Sequence, residues 1–185
     1  MIGTYADKKE QLSTDKFEEL RSLLGQLSWV STQTRPDIAF DVCQLIVNLN
    51  SATIGDVVKV NKCVRRLKNE EVILKFPSLG NIENVKMVCF SDASFANLKD
   101  GSSQGAYISF LVGMDGNFAP LSWHSRKVRR VVKSTLGAET LALASGAESC
   151  ILLRTLLAEI LKTDKLIPIV CKTDSKSLKE VNKNT

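Results

Sequence analysis

STLGAETLALASGAESCILLRTLLAEILKTDKLIPIVCKTDS, residues 134–175, is the stretch that decides the fold. Ser134 or Thr135 suits a helix N-cap, and the residues after them run helically to about Lys162, with a break expected near Gly146 to Ser149. Pro168 then opens a short β-rich run that ends on Asp174. A buried strand needs a partner, and VKMVCF at 85–90 supplies one, with Asp92 just beyond it. Two strands joined through a helical crossover normally pair in parallel, with a right-handed connection. Their carboxyl ends then share one sheet edge. Asp92 and Asp174 both emerge there, where open α/β sheets place their ligands.

Working outward, GAYISFLV at 105–112 is β-rich, and Gly113-Met114-Asp115-Gly116 is turn chemistry leading to FAPLSW at 118–123. That predicts a hairpin. The order becomes strand, strand, strand, helix, strand, with a helical pattern again from Ser175 onward. Upstream the period is different. Phe17, Leu20, Leu24, Leu27 and Val30 recur at threes and fours, Pro36 suits the start of a second helix to about Asn48, and Val57, Val60, Val64 and Leu67 mark a third. KFPSLGNIEN at 75–84 breaks the periodicity. The chain therefore reads as a helical segment, 1–75, and an α/β domain, 76–185. Three short helices make a small core, so the first part is expected to pack on something else.

With 44% hydrophobic and 24% charged residues, composition excludes disorder as the main description. Met1 to Glu10 lacks the apolar core of a secretory signal. The long apolar stretch Leu141 to Leu161 carries Glu148, Arg154 and Glu159, which predicts a soluble chain with no membrane partner. Five cysteines without a CxxC pair, and the single His124, leave little material for a zinc site or a histidine-dependent triad. Unpaired cysteines in apolar stretches suit a reducing compartment. Residues 1–75 hold 11 basic and 10 acidic side chains and 76–185 hold 14 and 10, so the positive excess sits in the second part. An anionic partner is expected there.

Glu139 lies one turn into the long helix. At 100° per residue it shares a face with Thr135, Ala142, Leu143 and Gly146, whereas Glu148 points the other way. Glu139 should face the sheet. Three carboxylates converging on one edge repel unless cations sit between them. Hard oxygen ligands select Mg²⁺ or Mn²⁺, and two such ions can clamp the attacking and leaving oxygens of a phosphodiester displacement. Each acid alone also suits a strand end or helix cap in water. The joint pattern is the informative one.

FSDASFANLKDGSSQGAYISFLV at 90–112, LSWHSRKVRRVVKSTLGAETLALASG at 121–146 and PIVCKTDSKSL at 168–178 resemble the ribonuclease H domain of copia-type retrotransposon polyproteins. RSLLGQLSWVSTQTRPDIAFDVCQLI at 21–46 with CVRRLKN at 63–69 is similar to the segment that joins that family's reverse transcriptase to its ribonuclease H. The resemblance implies a ribonuclease H-like mixed sheet, three antiparallel strands plus a parallel fourth, with helices. It implies two-metal hydrolysis of the RNA strand of an RNA–DNA hybrid. Asp92 and Asp174 would hold two Mg²⁺ (or Mn²⁺) ions, and Glu139 would help hold one and orient the attacking water. The remainder of a Pol polyprotein is the implied partner. The implied location is the cytoplasm, within a virus-like particle, or the nucleus.

Two departures stand out, the first a minor one because the nearer acid is the one carried over. The related motif often has a second acid two residues before the glutamate, where this chain has Gly137. Ribonuclease H sites also use a fourth acid after a fifth strand, whereas Glu180 falls in a helical pattern. The expectation is a domain short of its last strand, with weak or absent activity. The rival class is a non-catalytic, element-derived module that binds nucleic acid or a protein partner; a third is an inert, degenerate fragment.

Arg126, Lys127, Arg129, Arg130 and Lys133 place five positive charges between the third strand and the Glu139 helix, without one acid among them. Phosphate contact by this run fits hybrid binding, although a solvated connection fits equally. His124 beside Trp123 reads as a packing residue, and Trp29 and Trp123 as core. Ser102, Ser103 and Gln104 read as polar residues at the start of the hairpin, and Arg35 with Asp37 as an ion pair fixing the turn around Pro36.

Overall fold

The structure, a computed structural model, describes residues 10–176 and Leu178. The chain divides into two compact units, Met1–Ile73 and Leu74–Thr185. The first contains α1 (Thr14–Gln33), α2 (Ala39–Val47) and α3 (Ile54–Asn69), with Pro36–Ile38 forming a single 3₁₀ turn ahead of α2. Leu20, Leu24 and Leu27 of α1 meet Ile38, Val42, Leu45, Val60 and Cys63 in one buried cluster. The three helices are not all short: α1 has 20 residues and α3 has 16, and they bury a core of their own. Trp29 does not join it and is 66% exposed. It sits two residues past Leu27, which is 200° around the helix and on the opposite face.

The turn at Pro36 is held by a paired guanidinium. Arg35 Nε and Nη2 donate to the two carboxylate oxygens of Asp37 at 2.8 and 3.0 Å. Arg66 Nε approaches the same carboxylate at 3.4 Å, and its Nη1 donates to the Asp37 carbonyl at 3.2 Å. Thr53 and Asp56 form a capping box at the start of α3, so two orphan N–H groups are satisfied reciprocally.

In the second unit, β1 (Lys86–Ser94), β2 (Gln104–Val112) and β3 (Phe118–Lys127) precede α4 (Thr135–Leu161) and β4 (Ile169–Thr173). The described sheet runs β3-β2-β1-β4. β2 pairs antiparallel with β1 and β3, and β4 pairs parallel with β1. This is a ribonuclease H-like mixed sheet. β3 is an edge strand and carries Pro120 beside a register shift at Ser109/Phe110, a place where a missing N–H does least harm. One face carries an edge-to-face aromatic series, with Phe90–Phe110 centroids 6.2 Å apart and Phe110–Phe118 5.5 Å apart.

α4 packs against β1, β2 and β4 and turns Ala138, Glu139, Ala142, Gly146 and Cys150 inward. Ser134 caps it, its Oγ accepting from Gly137 N at 3.1 Å. By length and composition alone, α4 is long and apolar enough to cross a membrane. It is also continuous, with no break at Gly146 to Ser149. Gly146 is a point of close approach rather than a breaker. A Cβ there would lie 2.6 Å from Cys89 Sγ and 3.1 Å from Tyr107 Cβ. Gly146→Ala should therefore push α4 off β1 and cost about 1–3 kcal/mol, read as a lower urea midpoint at unchanged m-value.

Candidate metal centre

Asp92 lies inside β1, opposite Ala106 of β2, because the strand runs on to Ser94 instead of stopping at Phe90. Asp174 comes directly after β4. The register pairs Ser91 with Thr173, so the next residue on each parallel strand is one of the two aspartates. Glu139 reaches the same edge from the first turns of α4. One carboxylate oxygen from each of Asp92, Glu139 and Asp174 lies within 4.8 Å of the others. Among the described residues this is the one trio of His, Cys, Asp or Glu side chains so placed. The sheet edge and the helix face thus bring together all three acids singled out in the sequence.

Their surroundings differ. Asp92 and Asp174 are exposed, whereas Glu139 is 6% exposed. Glu139 Oε2 is buried with no hydrogen-bond partner among the described residues. Burial, then the charge of Asp92, hold the Glu139 carboxyl above the usual carboxylate range, against the opposing pull of the Ala93 hydrogen bond. A buried carboxylate oxygen with nothing to bind is costly, and a hard divalent cation is the partner such an oxygen fits. The donor set, three carboxylates, suits Mg²⁺ or Mn²⁺ rather than a soft metal. The residues present therefore fit the ions that the sequence reading calls for. Ser91 Oγ, buried on the strand residue before Asp92, also lacks a partner among the described residues. Sequence reasoning missed it, since a strand serine carries no signal of its own.

The raised Glu139 carboxyl has a consequence for stability. A folded-state pKa above the unfolded one adds stability that is fully present below the unfolded value and is lost as pH rises through the folded one. Where it is ionised, the buried side chain destabilises the metal-free chain. Glu139→Gln keeps the shape of the side chain without its charge and should stabilise that chain by about 1 kcal/mol, with Tm higher by about 2–4 °C. Thermal melts in EDTA should show the gap at pH 7.5 and lose it near pH 4.

The basic run does not occupy one connection. Arg126 and Lys127 are the last residues of β3, and only Arg129, Arg130 and Lys133 lie between β3 and α4. Arg126 Nη2 donates to Ser145 Oγ of α4 at 2.9 Å. Lys127 is paired with Asp100, whose carboxyl is held well below its usual range by Lys127 and by Ser102. Arg129, Arg130 and Lys133 are exposed. Four of the five, without Lys133, line a groove of about 400 Å³ that also includes His124, Ser145 and Glu148. His124 stacks on Tyr107 with centroids 6.2 Å apart, as a packing residue should. Burial, then the charge of Arg126, push its pKa below the usual histidine value.

Lys127 belongs to a network that shapes the loop after Asp92. Gln104 N donates to Asn97 Oδ1 at 3.1 Å, and Gln104 Nε2 to Ser125 Oγ at 2.9 Å. Ser103 Oγ accepts from Ala96 N at 3.1 Å, and Val128 N donates to Ser103 O at 2.8 Å. Ser103 and Gln104 are buried, and they do begin the hairpin. The pattern expected from Ser175 onward, Glu180 included, lies almost wholly outside the described residues.

No family model matches the chain. Over an alignment of 146 positions that covers 77% of the chain, the sequence is 30% identical to the retrovirus-related Pol polyprotein from transposon RE1 of Arabidopsis thaliana. The chain spans 9% of that relative's length. The likeness is to one segment of a much longer polyprotein, and it supports an origin in a retrotransposon Pol polyprotein.

Proposed function

We propose that the second unit is a ribonuclease H of copia-type descent, hydrolysing the RNA strand of an RNA–DNA hybrid with two Mg²⁺ or Mn²⁺ ions. The observation that carries this reading is the convergence of Asp92, Glu139 and Asp174 within 4.8 Å, with Glu139 Oε2 buried and unpartnered among the described residues. The mixed sheet and the likeness to a Pol polyprotein segment agree with it.

Asp92 and Asp174, open to solvent at the sheet edge, would hold the ions. Glu139 would complete the set from the buried face of the helix. When bound, divalent cations supply Lewis acidity to the attacking and leaving oxygens of the phosphodiester. Glu139 would also accept a hydrogen bond from the attacking water. Water displaces the leaving sugar oxygen directly, so no protein nucleophile and no covalent enzyme intermediate are required. Arg129, Arg130 and Lys133, exposed near the start of α4, would meet phosphates of the hybrid.

Cleavage of labelled RNA–DNA hybrid, RNA duplex and DNA duplex, each with Mg²⁺, Mn²⁺ or EDTA, tests this. Metal-dependent cutting confined to the RNA of the hybrid is expected. Hybrid binding without turnover would favour the non-catalytic module instead. A separate result should come from salt dependence. Neutralising Arg129, Arg130 and Lys133 together should reduce the slope of log K against log salt by about 3, one unit per lost phosphate contact. Lys127→Met should change it less, because Asp100 already neutralises that charge.

A further inference from the structure

Three cysteines meet behind the carboxylates, and the hydrolytic reading uses none of them. Cys89 lies on β1, Cys150 on α4 and Cys171 on β4. Cys89 and Cys171 are Cα partners in the parallel pairing, so the pleat sends both side chains to the same face. Cys89 packs with Cys150 in one buried cluster, and its Sγ donates to the Phe90 carbonyl at 3.9 Å. Access separates them. Cys89 and Cys150 are 0% exposed, whereas Cys171 is open to solvent. Paired residues on neighbouring strands have Cα atoms about 5 Å apart, inside the roughly 4.4–6.8 Å that a disulfide spans.

We infer that Cys171 and Cys89 form a peroxide-sensitive thiol pair, in which Cys171 meets the oxidant and Cys89 closes a cross-strand disulfide. The oxidant is hydrogen peroxide. The Cys171 sulfur attacks one peroxide oxygen, the O–O bond breaks, and Cys171 sulfenic acid and one water result. The Cys89 sulfur then attacks the Cys171 sulfur, the S–S bond forms, the S–O bond breaks, and the Cys89 proton leaves with the hydroxyl as a second water. Each sulfur is oxidised by one electron overall, and the peroxide takes up both. Cys150 touches Cys89 but has no route to the oxidant. Burial raises the Cys171 thiol, and burial with the neighbouring thiols pushes Cys89 up to about 12, so both steps are slow at neutral pH and faster in base. Each member of the pair stands three residues before an aspartate of the trio, Asp92 or Asp174. The crosslink would tie together the two strands that present them.

The test treats the native full chain with hydrogen peroxide, blocks free thiols and maps the digest by mass spectrometry. The expected result is a Cys89–Cys171 linked peptide short of two hydrogens, with three of the five thiols still free and full reversal by dithiothreitol. Cys150→Ala should keep the link, and Cys171→Ser, at an exposed position, should abolish it while circular dichroism stays unchanged. A link through Cys150, or Cys171 oxidised to sulfinic acid with Cys89 free, would overturn the proposal. None of these readouts depends on nuclease activity.

Discussion

Asp92→Asn should lower metal-dependent cleavage of an RNA–DNA hybrid by on the order of 10³-fold while the chain stays folded. The amide keeps the shape of the side chain and removes its charge. Asp92 is exposed inside a strand whose ladder pairing is made by the backbone, so the substitution leaves Asp92↔Ala106 and the sheet intact. Single-turnover cleavage of a labelled RNA strand, with circular dichroism as the control for folding, measures the effect. Asp174→Asn should act similarly, since the parallel register sets the two aspartates side by side. A variant that cuts at the wild-type rate would remove Asp92 from the site.

The largest effect on stability is expected in the other unit. Asp37→Ala leaves the Arg35 guanidinium without its paired carboxylate in a place where its side chain is 11% exposed. Breaking such a largely buried pair by deleting one partner costs about 3 kcal/mol, most of it the stranded charge. Arg66 loses a contact as well. Urea unfolding should show the loss at neutral pH. The sign of its pH dependence follows from Asp37, whose carboxyl is held below its usual range by the Arg35 hydrogen bonds and by the charges of Arg35 and Arg66, against its burial. A depressed folded-state pKa gives stability that is present above the unfolded value, about 3.9, and is lost as pH falls through the folded one. The gap between wild type and Asp37→Ala should close in acid. Glu139→Gln has the opposite sign of effect, because a buried acid beside the like charge of Asp92 destabilises what a paired one supports.

The element order was legible because its two periods differ: threes and fours through Val30, twos and short apolar runs after Val85. The position of Glu139 followed from helical phase alone, and the meeting of Asp92 with Asp174 followed from the crossover rule. What was misread depended on tertiary contact. Gly146 looked like a breaker because nothing local shows that Cys89 Sγ sits beneath it. β1 continues past Asp92 because Gln104 and Gly105 are there to pair with Ser94 and Ala93. The basic run looked like one free cluster. Its Lys127 is paired across 27 residues with Asp100, through a loop whose shape depends on Asn97, Ser103 and Gln104. Trp29 alone was readable and missed, since its phase already set it opposite Leu27.

Counting Mn²⁺ bound to the wild-type chain by electron paramagnetic resonance, beside Asp92→Asn and Glu139→Gln, is the most direct test of the carboxylate trio as a metal centre. Saturable binding that weakens at least tenfold in both variants is the expected result. An absence of binding, or an affinity indifferent to both substitutions, would contradict it.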